Sequence, residues 1–192
     1  MKNRAHAESM QKRIDRFKNL PPEEVIDSLL NSLDNFFNNE IKLTTEGNNH
    51  QTSLMFLGTH AVALTISKGL FDKGGFTGYS FFLKNFIDGE TADTRFSSIA
   101  NLIHGWRNVL AHQWLSLIGH RIGYDYNMQH GWQLRNGIFF INPKIYCDHY
   151  LRSFSAKGKI RKYRQLLNDE KMQEAKDRLI GKYLDDSLEK MC

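Results

Sequence analysis

The sequence predicts a mainly α-helical domain with a β-hairpin inserted after its longest helix, and three observations carry that reading. Apolar residues return at intervals of three and four over several stretches. Clusters of Gly, Pro, Asn and Thr stand between those stretches. One stretch, residues 121–141, changes to a loose alternation rich in Ile, Tyr and Phe.

Pro21-Pro22 opens the first helix, because proline fits a first turn and Glu23 and Glu24 suit the positive end of the helix dipole. Val25, Leu29, Leu33 and Phe36-Phe37 then follow at helical spacing, and residues 44–49 break the run. A second helix is predicted over Thr52–Phe71, with Leu54, Leu57, Ala61, Leu64 and Leu70 as core candidates. Gly58 and Ala61 are small enough to admit a close neighbour, and Gly74-Gly75 and Gly78 end the element. Residues 79–87 form a short apolar helix, and residues 88–93 a polar turn.

The longest helix is predicted over residues 96–118. Phe96, Ile99, Ile103, Trp106, Leu110, Trp114 and Leu117 alternate at threes and fours, a stripe that has to be buried. After it, residues 121–128 and 132–141 are the strands of the hairpin, with Gln129-His130-Gly131 as its turn. From Pro143 the chain is helical again through Tyr146, Tyr150 and Phe154; a basic connector around Gly158 then leads to a charged helix over residues 161–188. The organisation is a basic arm (1–20), a helical domain (21–155) and a charged C-terminal helix (156–192).

An apolar content of 41% excludes a disordered chain, and the apolar runs look too interrupted for a membrane span of about 20 residues. Residues 1–17 carry no apolar stretch that could act as a signal peptide. Cys147 and Cys192 are too few and too distant for a disulfide framework, so a reducing cytoplasm is expected. The net charge of +5 is uneven: residues 1–19 and 152–192 are each +4, and the middle is −3. Arg152, Lys157, Lys159, Arg161, Lys162 and Arg164 follow one another without an acid, either as a patch for a polyanion or as a solvated helix face.

Arg107-Asn108-Val109-Leu110-Ala111-His112 stands out within the long helix. A permanent charge and a ring that titrates near neutrality are costly on a packed helix, and together they suit a phosphodiester. At about 100° per residue Arg107 lies beside the apolar stripe, whereas His104, Asn108 and His112 form a ridge leading away from it. Arg107 and His112 are then separated by about 140° around the axis. Two copies packed around a two-fold axis would bring both ridges into one cleft.

Arg107-Asn108 followed by His112 resembles the Arg-x(4 to 6)-His motif of HEPN domains, and the resemblance spans roughly residues 21–155. It implies a compact antiparallel helical bundle with the motif on a late core helix. It also implies a homodimer with a composite site, acting as a metal-independent endoribonuclease in toxins or phage defence. Arg107 and His112 would be the catalytic pair, with Asn108 organising them; inactive members serve as partners or scaffolds. The hairpin is not part of the minimal bundle.

Such chemistry needs a base for the ribose 2′-OH, an acid for the leaving 5′-oxygen and a fixed cation for the phosphorus-centred charge. Two His112 side chains could share the first two tasks, and Arg107 suits the third. The expected products are a 2′,3′-cyclic phosphate and a 5′-hydroxyl, formed without metal or other cofactor. RNA is the expected partner, with Lys157, Lys159, Arg161, Lys162 and Arg164 as supporting contacts and His104 touching substrate or the second subunit. An antitoxin or regulatory protein is the further partner expected of a toxin, and no membrane is expected. The other readings are an inactive module that binds RNA, a nucleotide or a protein, and a scaffold. In these Arg107 pairs with an acid such as Asp93 or Glu90, and His112 caps a turn. His60 reads as a satisfied core residue, and Trp106 and Trp114 as core or dimer contacts. His120, His130 and His149 with Cys147 show no ligand spacing, so no metal site is assigned.

Overall fold

The computed structural model describes residue 12 and residues 15–46, 51–112 and 122–181, without the side chains of Ala111 and His112. The fold is mainly α with a small three-stranded sheet. Most of the expected arm, the stretch with Trp114 and Leu117, His120 and the end of the C-terminal helix lie outside the described residues.

Helix α1 runs Pro22–Phe36 with proline in its first turn and Glu23 and Glu24 behind it, and a π-helical turn, Phe37–Ile41, extends it. Helix α2 is Thr52–Phe71, as expected, and Leu70 is buried as expected, but the rest of its buried face is different. Met55, Phe56, Thr59, His60, Val62, Ala63 and Ile66 face inward, whereas Leu54 and Ala61 are exposed and Leu57 and Leu64 half-buried. The helix is apolar nearly all the way round, so spacing alone does not mark the core side. It is also long and apolar enough to cross a membrane, which corrects the expectation of interrupted runs, yet 56% of its apolar window is buried inside the protein.

Asp72, at φ 51°, ends α2 in the left-handed conformation, so the glycines expected to stop it belong to the next element. Gly75 and Gly78 lie in α3 (Gly75–Phe82), which passes into a π-helical turn, Leu83–Ile87. Gly78 lies so close to α2 that Ser67 Oγ donates to its carbonyl at 2.8 Å. The motif helix begins with a 3-10 turn, Phe96–Ile99, before α4, Ala100–His112. The tight start follows from Asp88, whose carboxylate accepts from both the backbone N–H and the hydroxyl of Ser97. Phe96, Ile99, Ile103, Trp106 and Leu110 are all buried, as the stripe requires.

The sheet departs from the simple hairpin. Strands β1 (Ile122–Tyr124), β2 (Trp132–Arg135) and β3 (Ile138–Ile141) lie in the order β1-β3-β2. The reversal is Asn136-Gly137, both at positive φ as a type I′ turn needs, and residues 129–131 belong to the β1–β2 connection. β1 pairs in parallel with β3, placing Ile122 opposite Phe139 and Tyr124 opposite Ile141.

Asn142 caps α5 (Pro143–Phe154) by accepting from Lys144 and Ile145 N–H, while its own amide donates to Met128 O at 2.6 Å. The expected single C-terminal helix is two: α6 (Lys159–Arg164) and α7 (Asp169–Ile180), the latter capped by Asn168. Both join the main core through Ile160, Ala175 and Leu179. At the centre of that core Tyr79, Tyr146 and Tyr150 form a fully buried chain of hydroxyls, with O–O distances of 3.0 and 3.1 Å.

Candidate nucleic-acid site on the motif helix

α4 is held by its stripe against α2 and α3, and its polar ridge emerges beside them. Arg107 is half-buried and Asn108 exposed, and the guanidinium donates to Asn108 Oδ1 at 2.9 Å. Among the described residues no carboxylate comes within ion-pair distance of Arg107, so the pairing with Asp93 or Glu90 is not made. Asp93 instead faces His130 Nδ1 at 3.2 Å and the Gly131 N–H. Beyond the Asn108 oxygen, the described residues give this half-buried cation no charged partner in return for the hydration it loses.

His104 lies one turn before Arg107 on the same face, half-buried. Its Nδ1 is 2.8 Å from Nε2 of His60 on α2. His60 is fully buried under the ring of Tyr79, at 4.3 Å between ring centres. Burial first, and then the charge of Arg107, pushes His60 down to about 3 and lowers His104 in the same order. Both imidazoles are therefore neutral at neutral pH. His60 does belong to the core, but its Nδ1 is buried without a partner among the described residues. Nothing in the sequence links His60 to His104, because packing between α2 and α4, not spacing, brings them together.

α4 is described as far as the backbone of His112, whose side chain lies outside the described residues. Trp106 is in the core, edge-on to Phe56 at 4.7 Å. Exposed Phe76 sets its ring 5.4 Å from that of His104, adding an aromatic edge to this surface.

The basic stretch is only partly available to a polyanion. Arg161 donates to Asn31 Oδ1, and Arg164 donates to Asp27 Oδ2 at 2.6 Å, so both are tied to α1. Lys159 donates to the Asp88 carbonyl at 2.6 Å, whereas Lys157 and Lys162 are exposed. Lys157 and Lys159 line a separate cleft of about 470 Å³ with Arg152 and His149, and Asp88 and Glu90 offset their charge. Cys147 is buried, and burial pushes its thiol up to about 12, which leaves it unreactive near neutrality.

Comparison of the chain with family models, with curated proteins and with solved structures finds no match.

Proposed function

We propose that this protein is a metal-independent endoribonuclease of the HEPN type, working as a homodimer in a toxin or phage-defence role. The observation that carries the reading is the Arg107 guanidinium, which has no counter-ion among the described residues and is held by Asn108 on the helix that carries His112. An anion from outside would restore the interactions that Arg107 lacks, and a phosphodiester fits its planar fork. His112 of each subunit would serve as base and acid for attack by the 2′-OH, leaving a cyclic phosphate.

The test is to express wild type, Arg107→Ala and His112→Ala and to compare RNA integrity, growth and dimer content, with EDTA present in the cleavage assays. Cleavage by wild type, lost in both variants while fold and dimer persist, supports the enzyme. Cleavage that disappears with EDTA and returns with Mg²⁺ overturns the metal-free route.

A catalytically silent RNA-binding module is the second reading, favoured by the two imidazoles beside Arg107, both neutral near neutral pH and so without the imidazolium form that a general acid uses. RNA bound but left intact by all three proteins selects it. Co-purification of a neutralising protein that abolishes cleavage would supply the partner that a toxin requires.

A further inference from the structure

We propose that His60 is a positioning residue that fixes His104 as a neutral N–H donor, so that His104 Nε2–H and the Arg107 guanidinium together hold the phosphate of a bound strand. This deepens the preceding reading and rests on its placement of a phosphate at Arg107.

The contact between the two rings allows two neutral arrangements. In the first, His60 carries its proton on Nε2 and donates to His104 Nδ1, a separation of 2.8 Å. His60 Nδ1 is then a bare lone pair, and His104 carries its proton on Nε2. In the second, both protons move to the Nδ1 atoms, and His104 presents a lone pair instead.

Burial decides between them. His60 is 0% exposed, and among the described residues its Nδ1 has no partner. The second arrangement would leave an N–H donor orphaned at that point, a rarer and costlier defect in proteins than an under-used acceptor. Tyr79 offers no way out, because its hydroxyl is hydrogen-bonded to Tyr146.

His104 Nε2–H is consequently turned away from His60. Unlike His60 Nδ1, it is not a buried orphan, and among the described residues nothing pairs with it. His104 and Arg107 stand at i and i+3 on α4, so their polar ends share one face. A neutral donor and a permanent cation there form an anion cradle that needs no proton uptake. The opposite tautomer would make His104 an acceptor suited to removing a proton, so the two arrangements predict different roles.

The experiment uses the full chain with ¹⁵N-labelled histidine. Long-range ¹H–¹⁵N correlation near neutral pH is expected to show His60 and His104 both protonated on Nε2, with both Nδ1 atoms bare. A proton on His104 Nδ1 overturns the inference, whatever any variant does. Affinity is then measured for a 2′-O-methyl oligoribonucleotide, which lacks the attacking hydroxyl. His60→Leu is expected to weaken binding roughly tenfold, the loss of one charge-assisted hydrogen bond. His60→Gln, whose amide N–H can still reach His104 Nδ1, is expected to recover most of that affinity. Arg107→Ala separates the failures. If it binds like wild type, phosphate recognition at Arg107 is wrong; if it loses binding while folded His60→Leu keeps it, only the role of His60 is wrong.

Discussion

Arg164 on α6 reaches Asp27 on α1 with an Nη2–Oδ2 separation of 2.6 Å, and Arg161 approaches the same carboxylate at 3.9 Å. A run of cations that the sequence leaves open to a polyanion is thus half committed to holding two helices together. Asp27 is 41% exposed, so screening keeps each contact to about 0.5–1 kcal/mol. Arg164→Ala is expected to lower the urea midpoint slightly and leave RNA affinity nearly unchanged. Lys157→Ala with Lys162→Ala is expected to do the reverse, lowering RNA affinity and its salt slope. Equal RNA effects from both sets would contradict this division.

His60 gives the fold a pH dependence whose sign is fixed. Its folded value of about 3 lies below the ordinary 6.5, so as pH falls the unfolded chain takes up the proton first. The contribution is complete above about 6.5 and is lost progressively as pH falls from there to 3, on the order of 5 kcal/mol in all. Denaturant unfolding between these limits should show stability falling with acid, and His60→Gln should flatten the curve above the carboxylate range. An unchanged slope in the variant would assign the effect to other groups, such as His149, which burial also lowers.

Tyr146 joins Tyr79 and Tyr150 through its hydroxyl, and burial pushes it up to about 12. Tyr146→Phe removes the shared partner of two buried hydroxyls and is expected to cost about 1–3 kcal/mol, read as a lower melting temperature. In wild type these three phenols should stay un-ionised in an alkaline titration until the fold opens. Early ionisation of all the tyrosines would count against the buried chain.

Two glycines make opposite predictions. A Cβ at Gly78 would lie 2.1 Å from the Lys73 carbonyl, so Gly78→Ala forces backbone apart and is expected to cost more than about 2 kcal/mol. Gly105, exposed on α4, would meet nothing within 4 Å. Gly105→Ala is expected to stabilise the isolated chain by about 0.5–1 kcal/mol through helix propensity. Thermal unfolding of the two variants checks both signs.

Much of the helical frame was legible because single residues carry clear local physics. Pro22 with Glu23 and Glu24 marks the start of α1, Pro143 the start of α5, and the Phe96-to-Leu110 stripe the buried side of α4. The inward face of α2 was not legible, since leucines and valines surround the helix and only its neighbours choose among them. The turn was misplaced at Gln129-His130-Gly131 although Asn136-Gly137 carries the stronger chemistry, and the parallel partner of β1 has no local signal. At the site, Arg107, Asn108 and His104 lie together as helical geometry requires, whereas His60 enters from another helix and was read as inert.

The strand order also sets a timetable for folding. β2 and β3 meet across Asn136-Gly137, a closure that takes about 1–10 μs in isolated ribbons, whereas Ile122 has to wait for the far strand before it finds Phe139. The ribbon is accordingly an early, self-starting piece, and the strand that follows the motif helix in sequence is the latch that closes on it afterwards.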